Sequence, residues 1–569
     1  MSKKMKRTAV FLILFLVVSA MVFAGGTTEK AKARTVELNP VGTYPIVKGE
    51  PVDIVLLTHQ PVYIEDLNTN RFSKHLEELG NINIIWETIP RDAIKEKLNI
   101  TLASGDYPDA FFGVSASEQG INASMEMIYG VQEGVFIPLE DLIDNHMPNL
   151  KKLLDERPGI REFLTAPDGH IYSLPDFNEC FHCSVAQKLW IYQPWLDKLG
   201  LDMPETTEDL YKVLVAFRDQ DPNGNGLKDE IPFAGSVGGW LNHVEGFIMN
   251  SFIYSNMVAS LDVSAESSIG FYRDGDVIKT IVNTQEYREG LRYLNKLYKE
   301  GLLYPPSFTQ DAKQLTQLVE GPEQPIVGVA PGGYSGMFSI VGSERYRGFR
   351  AVPPLKGPTG EQNTRSFLQQ PVIGGLVITK DAKHPEVIAR LMDYLYTTEG
   401  TLTSNNGFEG EGWEWAKPGQ VGLDGKPALW TMLKPWNDMD PQNDAFVMLG
   451  VRANTSRNRD GQAVDPNVDI YSDAGLETLL YQVSAELYKP YERPEKEIPT
   501  LRFLEEESDA FATKKVAYAN YVRQSLVKFV TGDMDLDRDW NTYLRNLDSL
   551  ELPAILAVNQ KAYDRQNSK

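Results

Sequence analysis

The sequence predicts an α/β protein whose first packed unit has the rhythm of a parallel sheet, and three observations carry that prediction. Short apolar runs alternate with helix-spaced segments from Val52 to Phe112. A second alternation begins at Leu189. The 569 residues, 42% of them hydrophobic, are enough for two or three cores of ordinary size.

The first residues set an expectation about compartment. Lys3, Lys4, Lys6 and Arg7 precede the apolar run Ala9 to Val22, and Val22-Phe23-Ala24 offers small residues where a signal peptidase cuts. A membrane anchor needs about 18 or more apolar residues, so a leader cleaved before Gly25 is the better reading. No cysteine follows it, which excludes a lipid anchor. Export to the periplasm is expected. Losing the leader's four basic residues leaves 52 Lys and Arg against 78 Asp and Glu, a net charge of −26. That disfavours nucleic acid and anionic membranes as partners.

Residues 25–49 (Gly, Thr, Glu, Lys, Ala, then Pro40 and Gly42) read as a flexible leader. Val52 to Leu57 suits a strand buried on both faces, ending at Thr58-His59-Gln60. A helix around 69–79, a strand Ile82 to Trp86, a helix from Arg91 to Ala103 and a strand Asp109 to Phe112 complete a parallel rhythm. Ligands sit at the carboxyl ends of such strands, so His59, Gln60 and the residues after Phe112 are pocket candidates. Farther on, Leu189 to Tyr192 reads as a buried strand, and Gln193 to Leu199 as a helix stopped by Gly200. Thr206, with Asp209 three residues on, starts a helix whose Leu210, Val213, Leu214 and Phe217 share one face.

The loop that follows, Asp221 to Glu230, has the donor pattern of a calcium site. Asp221, Asn223 and Asn225 alternate as oxygen donors, Gly226 permits the turn, Leu227 offers its carbonyl, and Asp229 and Glu230 add carboxylates. A hard cation takes about six to eight oxygens. An EF-hand would need a bidentate glutamate at its twelfth position, which here is Pro232. The loop is therefore EF-like, closed by its ninth and tenth residues; an Asn/Gly-rich turn without metal is the alternative. The only cysteines, Cys180 and Cys183, flank Phe181 and His182. Two thiols and one histidine do not complete a zinc site, and a local disulfide is expected in an oxidising compartment, with oxidoreductase chemistry as the alternative.

Four stretches in order, Asp168-Gly-His-Ile-Tyr-Ser-Leu-Pro175, Trp190 to Gly200, Pro204 to Leu210 and Asp221 to Pro232, resemble the extracellular solute-binding proteins of carbohydrate ABC importers. The similarity is greatest to the long, calcium-loop branch that includes alginate-oligosaccharide receptors. Ile326 to Pro331, Val372 to Ile378 with the helix after His384, and Gly407 to Glu414 agree. The resemblance implies a two-lobe periplasmic-binding-protein fold, its α/β lobes joined by crossing strands. Crossings are expected near 168–175, 367–373 and 405–410. One lobe is then 50–170 plus 371–405, the other 171–370 plus 406–569. Helices near 284–300, 386–396 and 508–529 suit the covering layers.

Sugar binding needs aromatic faces for pyranose C–H surfaces and planar polar groups for hydroxyls. Trp240, Tyr334, Trp413, Trp415 and Trp436 lie in glycine- or proline-rich, loop-like stretches and are candidates. Arg365, Gln369 and Gln370, at or just before the second crossing, are candidate donors. Trp86 and Trp190, inside strand patterns, are assigned to the core. An enzyme reading would draw on Glu409, Glu411 and Glu414. No G-x-S-x-G or H-E-x-x-H motif accompanies them, and the seven histidines show no paired metal-ligand spacing. The expected function is an exported, monomeric, non-enzymatic receptor that closes on an oligosaccharide and serves a membrane ABC permease, with calcium stiffening one lobe. A carbohydrate-active enzyme and a non-sugar receptor are the alternatives. The identity and charge of the sugar stay open.

Overall fold

The computed structural model describes residues 36–116, 120–257, 269–434 and 441–567. The expected leader peptide, 1–24, and Trp436 lie outside them.

In chain order, β1 (Val52–Gln60), α1 (Arg71–Gly80), β2 (Ile82–Pro90), α2 (Ile94–Ser104) and β3 (Ala110–Phe112) follow the predicted rhythm. β4 (Leu174–Asn178) and β5 (Leu189–Tyr192) come next, then α3 (Gln193–Leu199), α4 (Thr207–Asp219) and β6 (Ile231–Phe233). A hairpin of β7 (Phe271–Asp274) and β8 (Val277–Thr280) precedes α5 (Gln285–Lys299), β9 (Val327–Pro331), β10 (Phe349–Val352) and β11 (Val372–Ile378). α6 (Pro385–Tyr394), α7 (Thr398–Asn406), β12 (Trp413–Trp415), β13 (Trp430–Met432) and β14 (Ala453–Asn454) follow. The chain ends with α8 (Leu476–Val483), α9 (Glu505–Thr531), α10 (Trp540–Ser549) and α11 (Leu552–Asn567).

β1 pairs in parallel with β2 on one side and β3 on the other, in a six-stranded sheet of order β14-β4-β11-β3-β1-β2. Successive strand residues point to opposite faces. Ile54 and Leu56 therefore meet Phe72 and Leu76 of α1, whereas Leu57 meets Ile94, Leu98 and Leu102 of α2. Both faces are covered, which is why the strand reads as a continuous apolar run. The second sheet, order β10-β5-β9-β6, lies in a separate core. Leu210, Val213, Leu214 and Phe217 of α4 join that core, as the helical spacing requires. Thr206 and Asp209 form the reciprocal cap, and Gly200, at φ 66°, ends α3.

Three expectations are corrected. The packed unit begins near residue 36: Leu38 bridges Val47, and Ile46 and Val47 are buried against the end of α1. Apolar side chains with a surface to cover stay ordered even in a Gly/Pro-rich stretch. Residues 445–453, placed in the second lobe from the sequence, pack instead in the first core, where β14 adds a strand beside β4. The third passage between lobes consequently follows Asn454 rather than 405–410, because the chain next meets the second core at Leu476 and Leu480 of α8.

Candidate functional site

Strand directions position the site. β11 is antiparallel to both β3 and β4, so β4 leaves the first sheet at the edge where β1 and β3 end. β5 enters the second sheet antiparallel to β9, pairing Leu189 with Pro331, where β9 ends. β6 runs parallel to β9 and ends at the same edge. The crossing strands thus bring the carboxyl edges of the two sheets face to face.

On the second lobe's edge, the loop after β6 carries Trp240 and the loop after β9 carries Tyr334. Asn242 ties the two loops, donating from its side chain to the Pro331 carbonyl at 3.1 Å, and Gly333 N–H donates to the Trp240 carbonyl at 3.0 Å. The Trp240 ring lies on Gly333, where a Cβ would come within 2.1 Å of it, and the Tyr334 ring lies as closely on Gly336. Both rings are half-buried. One side of each rests on bare backbone.

The first crossing supplies neighbours that sequence reasoning missed. His182 stands edge-on to Trp240, centroids 6.5 Å apart, and its Nε2 lies 3.4 Å from Glu477 of α8. Arg459 donates to Glu477 at 3.1 Å and to Cys180 Sγ at 3.4 Å. Burial pushes the Glu477 carboxyl up, but Arg459 and His182 outweigh it and hold the group below its usual range. Burial also lowers His182. Cys180 and Cys183 are disulfide-bonded, as expected. Lys188, fully buried and pushed down to about 7 by that burial, donates to the His182 and Val185 carbonyls at 3.2 and 2.9 Å. Phe181 stacks on Tyr481 with centroids 4.3 Å apart. The Cys-Phe-His-Cys stretch was the only signal in the sequence, since Tyr481 sits unremarked in a helix.

The other candidates divide. His59 is buried at the first lobe's edge, and Gln60 spends its amide on the Ile64 carbonyl at 2.9 Å. Arg365 is buried at the second crossing over the Phe367 ring, 4.0 Å away, with Nε and Nη1 unpartnered; burial lowers its pKa. Gln370 accepts from Thr500 N–H at 3.2 Å through its amide oxygen, which ties it to the crossing, and Gln369 is exposed. Trp415 is exposed, edge-on to Trp413. Trp413 is fully buried with Leu402 and Trp430. It is core, not a ligand face. A buried ion pair braces the hinge: Arg502, set between second-core residues, donates to Glu126 at 2.6 Å and to the Leu164 carbonyl of the first core at 3.0 Å.

In the Asp221 loop, Asp221 accepts from the N–H groups of Gly224 and Gly226, and Gly226 takes φ +77°. The Asn223 and Asn225 side chains converge on Asp229 at 3.0 Å each. Glu230 Oε1 is buried without a hydrogen-bond partner, and burial, then the Asp221 and Asp229 charges, raises its carboxyl.

Residues 65–402, more than half the chain, match the family of bacterial extracellular solute-binding proteins. The chain belongs to that family. This solute-binding protein is 28% identical to the fructooligosaccharide ABC transporter substrate-binding protein FusA of Streptococcus pneumoniae serotype 4 (strain ATCC BAA-334 / TIGR4), across 99% of its own length and 98% of FusA. It superposes on FusA in complex with kestose with a TM-score of 0.71 at 26% identity, covering 91% of this chain and 99% of that one. An EF-hand mutant of FusA in complex with fructo-nystose gives a TM-score of 0.70 at 25% identity, with the same coverage. Alginate-binding protein AlgQ2 without calcium ion shares the fold, with a TM-score of 0.66 at 22% identity over 92% of this chain and 100% of AlgQ2. The two-lobe α/β architecture expected from the sequence is therefore that of the family.

Proposed function

We propose that this solute-binding protein is the exported receptor of an ABC transporter and that it encloses an oligosaccharide between the edges carrying Trp240 and Tyr334 on one side and His59 on the other. The observation that carries the reading is the pair of aromatic rings seated on glycine backbone at the cleft edge. End-to-end similarity to a fructooligosaccharide receptor supports the ligand class. A ring backed by bare backbone is held rigid at little entropic cost, and its outer face is the apolar surface that a sugar's C–H face covers. Contacts from both lobes favour the closed state by differential affinity, with the stitched crossings as hinge. Closure presents the loaded form to the permease subunits. Export uses a leader cut near Ala24, and the receptor acts as a monomer in the periplasm.

Calcium fits the Asp221 loop. Three carboxylates crowd one another there, and the unpartnered Glu230 oxygen is a polar atom that burial penalises until something positive meets it. Asp221, Asn223, Asn225, the Leu227 carbonyl, Asp229 and Glu230 would hold the ion, with the two amides turning their oxygens inward. The ion would stiffen the end of α4 against β6. An EF-hand in FusA supports this assignment. Two of the three acids of the enzyme alternative are held by cations, Glu411 bidentately by Arg71 at 2.8 and 3.1 Å, which lowers its pKa, and Glu414 by Lys417 at 2.9 Å, while Glu409 is exposed. A general acid needs the opposite shift.

Thermal unfolding of residues 25–569 in calcium, against neutral and acidic oligosaccharides, tests the reading. A ligand at 100 times its Kd should stabilise by about 2.7 kcal/mol. A shift with one sugar class, recovered intact, supports the receptor. Degraded sugar would transfer the protein to the enzymes, and no shift would point to a non-sugar solute.

A further inference from the structure

A buried chain of polar contacts runs from the second lobe into both crossing strands of the first. Glu126 is fully buried in the first lobe, where it opens a π-helical turn, Glu126–Gln132. Such turns concentrate where a helix has to place a side chain for function. The side chain placed here is a carboxylate with two partners. Its Oε2 accepts from Arg502 Nη1 at 2.6 Å, and its Oε1 accepts from the Ser173 hydroxyl. Ser173 Oγ in turn accepts from Gly374 N–H at 3.1 Å. Ser173 immediately precedes β4, and Gly374 lies in β11, so the relay ties the first crossing to the second.

Gly374 marks an irregularity in β11. From the pair Leu174–Leu376 to the pair Asp176–Val372, β11 spends four residues while β4 spends two. Gly374 takes φ +79°, and a Cβ there would lie 2.3 Å from the Ile121 carbonyl oxygen. A bulge of this kind bends its strand and strengthens the local twist. Here it sits where the second crossing enters the first sheet, with its N–H pinned by Ser173.

Arg502 is the second lobe's end of the relay. Its neighbours Leu501 and Phe503 belong to the second core. Its backbone is held by α11: the N–H donates to Gln566 Oε1 at 2.8 Å, and the carbonyl accepts from Arg565 at 2.6 Å. Its guanidinium donates to the first lobe at three points. Besides Glu126 these are the Phe163 and Leu164 carbonyls, at 3.2 and 3.0 Å, which end the helix Pro158–Leu164. A cation there satisfies acceptors that a helix end leaves unpaired. The two charged side chains are only 5% and 1% exposed. Parting them during lobe motion would strand two charges away from water, at a large cost. The contact therefore stays made, and the lobes turn about it.

We infer that Arg502 and Glu126 are positioning residues for closure. They form a fulcrum and, through Ser173 and the Gly374 bulge, limit how far β4 and β11 bend, so that the unliganded receptor keeps a narrow range of lobe separations. The inference rests on the hinge-closure reading above. A hinge restricted in this way has less disorder to lose when the lobes close, which favours ligand capture without any contact to the ligand.

The test is the distribution of distances between spin labels at two exposed positions, Lys152→Cys in the first lobe and Lys313→Cys in the second, on unliganded residues 25–569 in calcium. The disulfide keeps the native cysteines from the label. The labelled parent should give a narrow distribution. Glu126→Gln and Arg502→Met should each widen it at least twofold, and Ser173→Ala should widen it less. In the double variant Glu126→Gln/Arg502→Met no buried charge is left alone, so its urea midpoint should recover towards the parent's. Its distribution should stay wide. A width that recovers with the midpoint makes the pair a brace of the fold and overturns the proposal. Widths unchanged in every folded variant, or a parent already as wide as the variants, overturn it too. Where a single variant does not fold, the double variant and Ser173→Ala carry the same comparison. A parent distance that neither kestose, maltohexaose nor xylohexaose shifts counts against sugar-driven closure, while the unliganded widths still decide the fulcrum.

Discussion

Gly239-Trp240 and Gly412-Trp413 look alike in the chain, each a tryptophan after a glycine in a turn-rich stretch. The fold uses them differently. Trp240 rests on Gly333 of a neighbouring loop and stays half-buried. Trp413 turns under β13 and closes a small core with Leu402 and Trp430, 0% exposed. Glycine beside an aromatic permits a close approach; what stands on the far side of the ring decides between platform and plug. For Trp240 the proposed function puts the ligand there, whereas for Trp413 it is Leu402 of α7 and Trp430 of β13.

The largest effects should come from the plug. Trp413→Ala is expected to cost about 3–5 kcal/mol, the usual toll of emptying a large aromatic site, read as a lower urea midpoint with little change in ligand affinity for the folded fraction. A variant of native stability that lost ligand would reverse the roles of the two tryptophans.

Next comes the calcium loop, remote from both rings. Asp229→Ala should abolish the stabilisation by calcium, about 2.7 kcal/mol at 100 times the Kd, and with it the response to chelator in a thermal melt. A chelator response that persisted would put the metal elsewhere.

Trp240→Ala should weaken ligand binding about tenfold or more, which is about 1.4 kcal/mol, with an unchanged urea midpoint. Wild-type affinity in that variant would make Trp240 a packing residue like Trp413.

The segment that follows Asn458, whose carbonyl accepts from Trp430 Nε1, also carries a pH-dependent weakness. Burial, then the Asp424 charge, raises the Asp460 carboxyl to about 6, against about 3.9 in an unfolded chain. Between those values the folded state binds the extra proton, so stability falls as pH rises through the window. Asp460→Asn should gain about 1 kcal/mol near pH 8, discounted for its half-exposed position, and nothing near pH 3, where both states are protonated. Equal gains at the two pH values would place the cause outside titration. The smallest effect belongs to Trp415→Ala, whose exposed ring should cost less than about 0.5 kcal/mol.

Local patterns were legible wherever the cause was local. β1, β2 and β3 and their helices were readable because a strand covered on both faces must be apolar throughout. The Thr206–Asp209 cap and the Gly200 stop depend on a few adjacent residues and were readable for the same reason. The Asp221 loop announced its oxygen donors because their alternation with Gly224 and Gly226 is a property of adjacent residues. The site was less legible. Trp240 and Tyr334 stood out by their glycines, but His182, Glu477, Arg459 and Tyr481, up to 299 positions apart, meet only because strand directions bring them together. Likewise the contact of the 491–500 segment with the second crossing, through Thr364 N–H to the Tyr491 carbonyl and Thr500 N–H to Gln370, joins residues more than 120 positions apart.

The sequence by itself determined the α/β class, the first sheet's order of events, the capped helix, the metal-competent loop and an acidic surface, since periodicity, capping chemistry and charge are properties of neighbours in the chain. Only the tertiary structure decided that 36–47 is packed, that 445–454 returns to the first lobe, that Trp413 is a plug, and that Phe181 and Tyr481 stack. Each of these depends on which surfaces meet at long sequence separation, and a side chain's burial is fixed by its partner as much as by itself.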